Sequence, residues 1–252
     1  MCSSDLSAEG VPAAVRDDFR EVPFDDTEAL RAAVDAAGDD LAAIVLEPVV
    51  ERVASTEWLA AARDLATDRG AALIFDEVKT GFRMATGGYQ QVCGVTPDLA
   101  AFGKAMANGY PAAAVCGRAD VMDAVRRTWI SSTLACDTTA LAAARAVMQT
   151  HAERDVCGEL AEIGQALKAA VGAAIRASRV TGVDVHGPDP MWFLRFASAE
   201  METRFLVAAA ESGVLFKRGP YNFAALAHDA ETIGEIESRT SNALVAMREG
   251  RA

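Results

Sequence analysis

Residues 71–111 read AALIFDEVKTGFRMATGGYQQVCGVTPDLAAFGKAMANGYP. Two short apolar runs lie in this stretch, residues 71–75 (AALIF) and 99–102 (LAAF), and each is of strand length, too short for a stable helix. Polar residues follow both: Asp76-Glu77 after the first, Gly103-Lys104 after the second. An apolar run without alternation is how a strand covered on both faces reads. Upstream, residues 41–46 (LAAIVL) form a third such run, ending on Glu47-Pro48. Between this run and residues 71–75, Trp58, Leu59, Ala62, Leu65 and Ala66 recur at helical spacing and stop at Gly70. This alternation predicts an α/β fold, a mostly parallel sheet with flanking helices. Open parallel sheets bind ligands outside the carboxyl ends of their strands. Glu47, Asp76 and Lys104 are therefore expected to converge on one rim.

Working outward, Leu30, Ala33, Val34 and Ala37 form a helical stripe that Gly38 ends, with Asp25 and Glu28 as a capping pair. Residues 112–116 read as a further strand, and Val121, Met122 and Val125 as a helix after it. The pattern changes near residue 138. Leu141, Ala144, Val147 and Met148, then Val156, Leu160, Ile163, Leu167 and Val171, predict a long helical region. Residues 180–185 and 191–196 follow as strands around the turn His186-Gly187-Pro188-Asp189-Pro190. Residues 198–212 read as a helix. Ile233, Ile236, Thr240, Leu244 and Met247 stripe a terminal one. Two domains are expected: residues 1–150 carrying the larger sheet, and residues 151–252 as a small α+β unit.

Of the 252 residues 51% are hydrophobic, enough for a sizeable core, and the formal net charge is −12. That charge argues against nucleic acid and against an anionic membrane surface as partners. The five cysteines (Cys2, Cys93, Cys116, Cys136, Cys157) are odd in number and lack CxxC spacing. They read as reduced thiols, not as a disulfide framework or a zinc site, and no metal is expected. No apolar run approaches the roughly 18 residues of a membrane span. Residues 1–10 are polar and lack an apolar leader core. The cytoplasm is the expected location.

Three segments then carry a resemblance: 73–83 (LIFDEVKTGFR), 96–99 (TPDL) and 102–111 (FGKAMANGYP). Together they resemble the signature of the class-III, pyridoxal-phosphate-dependent aminotransferases of fold type I. Within that family the likeness is nearest to the glutamate-1-semialdehyde aminomutase branch and its aminotransferase relatives. Phe82-Arg83, residues 94–98 (GVTPD) and residues 117–122 (GRADVM) carry it. The resemblance implies pyridoxal 5′-phosphate as cofactor, with Lys104 joined to its aldehyde as a Schiff base. A neutral amine is needed there, and burial beside positive charge lowers a lysine's pKa. It implies that Asp76 pairs with the pyridine nitrogen, so that the ring acts as an electron sink, and that Val78 packs on one ring face. It further implies that Thr133, after Ser131-Ser132, holds the cofactor phosphate of a neighbouring subunit in a homodimer with shared active sites. The partners implied are a small-molecule amino donor and acceptor. Residues 1–150 would then be the C-terminal portion of the cofactor-binding large domain, and residues 151–252 the small C-terminal domain.

Departures from the family pattern bear on the reaction. Val49-Val50-Glu51-Arg52 replaces the Gln and second Glu of many members, as in the aminomutase branch. Asn222 stands where the aminomutases are expected to have a glutamate, which points the other way. Lys217 and Arg218 have the chemistry to bind a substrate carboxylate, although a solvated loop is the simpler reading. Nothing before Asp25 resembles the family's phosphate-binding loop, and residues 1–6 (MCSSDL) match none of its features. The chain is therefore expected to be the C-terminal part of such an enzyme and to bind the cofactor weakly by itself. Three readings stand: an aminotransferase, an aminomutase, and a non-catalytic fragment that keeps the fold. A nicotinamide dehydrogenase is excluded, because no GxGxxG follows a strand.

Overall fold

The computed structural model of the chain describes residues 10–130, 132–135 and 137–250; Cys2, Ser131, Cys136 and the stretch MCSSDL lie outside these. The chain divides into two compact units, Met1–Arg154 and Asp155–Ala252.

In the first unit, helix α1 (Thr27–Ala37) leads into strand β1 (Ala43–Leu46), and helix α2 (Thr56–Asp68) crosses to strand β2 (Ala72–Asp76). Strands β3 (Leu99–Phe102) and β4 (Ala114–Gly117) complete a four-stranded sheet in the order β1-β2-β3-β4. The first three are parallel and β4 is antiparallel. The α/β fold with a mostly parallel sheet stands as read. Parallel neighbours need a crossover, and the stripe on α2 supplies it: Trp58, Leu59, Ala62, Leu65 and Ala66 are all buried. Ser55 caps α2 by accepting the Trp58 N–H, and Gly70 ends the turn beyond it at φ +63°.

Two local expectations need correction. The cap of α1 is Asp26, whose Oδ1 accepts the Ala29 N–H at 2.9 Å. Asp25 instead turns away at φ +65° and reaches across the chain to Ser55 and Arg52. Strand β1 is not covered on both faces either. Ile44 and Leu46 are buried while Val45 is 50% exposed, because β1 is the edge strand and one of its faces has no cover among the described residues.

Helix α3 (Thr138–Glu153) closes the first unit. Val147 joins Phe82, Ala100, Phe102 and Met106 in one apolar cluster, and the His151 ring meets Phe82 edge-on at 5.3 Å. This cluster seats the segment that follows β3.

The second unit has its own core. Helices α4 (Val156–Ser178), α5 (Ala199–Glu211) and α6 (Ala230–Arg248) pack with strands β5 (Val183–His186), β6 (Met191–Phe196) and β7 (Asn222–Phe223). The strands form an antiparallel sheet in the order β5-β6-β7. Leu160, Leu167, Val171, Trp192, Leu194, Phe205 and Leu244 are buried together.

Candidate active site

The register of the parallel strands sets the rim. Leu46 lies opposite Phe75, and Asp76 opposite Ala101. Glu47, Asp76 and Gly103-Lys104 therefore leave the sheet at the carboxyl ends of three adjacent strands, the convergence that the sequence predicts.

Asp76 is half-buried, and its Oδ1 accepts the N–H of Val78 at 3.0 Å. Among the described residues no cation reaches this carboxylate. Val78 turns back over the neighbouring strand end: its Cγ1 lies 3.5 Å from where a Cβ on Gly103 would sit. Its methyl groups thus lie beside the residue that precedes Lys104.

Lys104 opens a short 3-10 turn, Lys104–Ala107, with Met106 and Ala107 buried beneath it. Its side chain is exposed and has no hydrogen-bonding or ionic partner among the described residues. The backbone at Lys104 has φ +45°. A left-handed conformation costs a non-glycine residue roughly 1–2 kcal/mol, and strain of this kind gathers at functional positions.

The other charged groups near the strand ends are committed elsewhere. The ammonium of Lys79 pairs with the Glu47 carboxylate, so Glu47 serves a neighbouring side chain. Glu77 is fully buried, and its carboxylate accepts three hydrogen bonds: from the Thr80 hydroxyl, from the Tyr89 N–H at 2.8 Å and from the Gln90 N–H at 2.9 Å. Burial pushes the Glu77 carboxyl above its ordinary value; the hydrogen bonds pull the other way, and the charge of Asp76 adds to the upward shift. The sequence pattern puts Glu77 at the strand end but does not by itself bring its hydrogen-bond donors together. Gly87-Gly88 and Thr80 were the signals that could have pointed to this network.

Thr133 sits in an exposed turn before α3. In the second unit, Lys217 and Arg218 are held locally. Lys217 Nζ donates to the carbonyls of Arg218 and Pro220. Arg218 pairs with Glu202 at 3.2 Å and donates to Thr203 Oγ1 at 2.9 Å. Asn222 belongs to β7, and its Oδ1 accepts the Lys217 N–H at 3.0 Å. Among the described residues, no group of three His, Cys, Asp or Glu side chains gathers to hold a metal ion.

An unpaired carboxylate and an unpaired amine at neighbouring strand ends, with a valine beside the glycine between them, suit a cationic aromatic ring bearing an aldehyde. This fold is of the kind found in pyridoxal-phosphate-dependent aminotransferases. A solved structure of the internal aldimine form of the FumI protein from Sphingopyxis sp. MTA144 superposes with a TM-score of 0.90 at 26% identity, over 96% of this chain and 61% of that one. The family model for aminotransferase class-III matches residues 8–227, and the chain belongs to that family. A glutamate-1-semialdehyde 2,1-aminomutase from Rhodopirellula baltica is 39% identical over 63% of this chain and 38% of its own length. A 3-aminobutyryl-CoA aminotransferase from Cloacimonas acidaminovorans is 32% identical over 76% of this chain and 48% of its own. The chain thus spans less than half the length of these two relatives.

Proposed function

We propose that the chain is part of a pyridoxal-phosphate-dependent enzyme that moves an amino group between an amino compound and a keto acid or aldehyde. The observation that carries this reading is the pairing of an uncompensated Asp76 with a partner-free Lys104 on one rim. When bound, the cofactor supplies an aldehyde carbon for the amine and a ring that draws electrons from the amine-bearing carbon of the substrate. Lys104 would hold that aldehyde, and its amine would take and return a proton at the substrate carbon. Asp76 keeps a proton on the ring nitrogen by charge, through a hydrogen bond worth roughly 1.5–3 kcal/mol. Val78, whose methyl groups lie beside Gly103, would orient the ring by packing against it. Residues 1–150 are the corresponding part of the cofactor-binding domain in this reading, and residues 151–252 the small domain.

Thr133 extends the proposal to a homodimer in which each site takes a phosphate contact from the partner. The exposed apolar residues that precede it, Trp129 at 93% and Ile130 at 72%, favour a covered surface here. Acidic composition and the free thiols Cys93 and Cys116 fit the reducing cytoplasm. Among the described residues no helix is long and apolar enough to cross a membrane.

A second reading, migration of the amino group within one molecule, is favoured by Val49-Val50 and by the aminomutase relative. Supplying glutamate-1-semialdehyde with no other amine or keto acid separates the two: complete conversion to 5-aminolevulinate makes the enzyme an isomerase. The cofactor role is tested by borohydride reduction in the presence of pyridoxal phosphate and peptide mapping. The adduct is expected on Lys104, and an adduct on Lys79 or Lys217 instead overturns the assignment.

A further inference from the structure

The mechanism above uses Asp76 and Val78 but leaves the residue between them unexplained. Glu77 is 0% exposed. An ionised carboxylate is costly to bury unless several donors meet it, and this one meets a hydroxyl and two backbone N–H groups from a segment twelve or thirteen residues further on. The segment is shaped around it. Gly88 has φ +81°, and a Cβ there would lie 2.4 Å from the carboxylate carbon. Only glycine meets both demands at once.

The backbone of Glu77 is tied in as well. Its N–H donates to the Ala101 carbonyl at 2.9 Å, and its own carbonyl accepts the Gly81 N–H at 2.8 Å. The first bond locks the end of β2 to β3 three residues before Lys104. The second closes the turn that holds Val78. Gly81 in turn lies tight against Phe102, whose Cδ1 would be 2.4 Å from a Cβ on Gly81. The turn bearing Val78 is thus clamped from three sides: by strand β3, by the Phe102 ring and by the segment 88–90 through the Glu77 carboxylate.

We propose that Glu77 is a positioning residue of the cofactor site: its buried carboxylate fixes the turn that delivers the Val78 N–H to Asp76 and the Val78 side chain to the face over Gly103. The inference rests on the reading of Asp76, Val78 and Lys104 given above. It assigns Glu77 no contact with cofactor or substrate. Its action runs through Asp76, whose free oxygen is aimed by the Val78 hydrogen bond, and through Val78 itself.

Hydrogen exchange on the ligand-free chain, together with borohydride trapping by pyridoxal phosphate, tests this. Glu77→Gln places an amide N–H among groups that need an acceptor. Exchange at Val78, Tyr89 and Gln90 should quicken about tenfold or more, the scale set by losing one charge-assisted hydrogen bond. The fraction of Lys104 trapped at limiting cofactor should fall by a similar factor. Thr80→Val removes one donor only and should give a smaller change of the same pattern, while Thr80→Ser should restore the wild-type result. Asp98→Asn, at the opposite ends of the same strands, serves as the control for plain destabilisation. If Glu77→Gln leaves Val78 exchange unchanged, or if trapping is unchanged, the inference fails. So it does if the pattern is that of Asp98→Asn. If wild-type chain shows no trapping at Lys104, the cofactor reading fails separately, and Val78 exchange alone decides the role of Glu77.

Discussion

Glu47 and Lys79 form an ion pair across the carboxyl ends of β1 and β2, so the lysine nearest in sequence to Asp76 is already neutralised. Among the described residues, Lys104 is the amine left without a partner on that rim. Lys79 would have to leave Glu47 before its amine could reach an aldehyde, whereas Lys104 has no such pair to break, and only a neutral amine condenses with an aldehyde. Lys104→Met should therefore lower the borohydride-trapped adduct more than tenfold. Lys79→Met should change it less than twofold. Mass spectrometry of the reduced, digested chain checks both.

Asp98 organises the opposite ends of the strands. It is 3% exposed, its Oδ2 accepts from the Leu73 N–H and from Arg63 at 2.8 Å each, and its Oδ1 accepts from Arg118 at 2.7 Å. Replacing it with alanine leaves a buried N–H and a half-buried guanidinium without their acceptor. A loss of about 2–4 kcal/mol in unfolding free energy is expected. Urea denaturation of the chain measures it.

Glu77 and Asp98, both buried in the first unit, should give opposite pH dependences. For Asp98, burial alone would raise the pKa, but the bonds from Leu73, Arg63 and Arg118 outweigh it and hold the carboxyl below its ordinary value. The unfolded chain then binds the proton more tightly, so the contribution of Asp98 is full above about pH 4 and fades as the pH falls below that. Glu77 is raised, chiefly by burial. Here the folded chain binds the proton more tightly, so stability from this group rises as the pH falls toward the unfolded value of about 4.3. Glu77→Gln should remove that rise and leave the acid loss below pH 4 in place. Equal slopes for wild type and variant between neutrality and pH 5 would contradict the sign.

These residues also show what the sequence could and could not disclose. The rim was legible because it depends on local facts: apolar runs at 71–75 and 99–102, each followed at once by its polar group. Asp25 and Asp26 were not separable by pattern, since adjacent aspartates offer the same capping chemistry and only the pull of Ser55 and Arg52 on Asp25 decides between them. Strand β7 escaped notice because its two residues owe their conformation to Met191 and Trp192, about thirty positions away. The Glu77 network was hidden for the same reason, its donors Tyr89 and Gln90 lying in a short helical turn that carries no apolar periodicity.

Thr240, on α6, is fully buried, and its hydroxyl finds no hydrogen-bond partner among the described residues. Valine has nearly the same shape and a similar helix propensity. Replacing an unsatisfied polar group by an apolar one of equal shape is neutral or favourable. Thr240→Val should keep or raise the stability of the chain, by up to about 1 kcal/mol. Thr240→Ser, which keeps the orphan hydroxyl and loses a methyl group, should lower it by about 1 kcal/mol. Thermal unfolding of the two variants beside wild type distinguishes them, and a destabilised valine variant would mean that the hydroxyl has a partner.

The proposed dimer makes its own demand on the turn before α3. Trp129 is 93% exposed and Ile130 72% exposed, and Leu134 beside Thr133 is more than half exposed. Single exposed apolar residues need no explanation, but large ones grouped around a proposed phosphate contact do. Covering a tryptophan and an isoleucine in an interface is worth roughly 1.5–3 kcal/mol each by apolar area. Placing a carboxylate at either position would leave a charge to be buried without a partner. Trp129→Glu combined with Ile130→Glu should therefore shift a dimeric chain to monomer, raising the dissociation constant at least a hundredfold, which is about 2.7 kcal/mol. The fold should survive, because neither side chain belongs to a core. Thr133→Val should leave the association state unchanged and weaken only cofactor retention, since it removes one hydroxyl donor to a phosphate. Sedimentation velocity across a concentration series, with circular dichroism for the fold, reads out the first pair. A wild-type chain that stays monomeric at tens of micromolar would remove the support for a shared site, and with it the role proposed for Thr133.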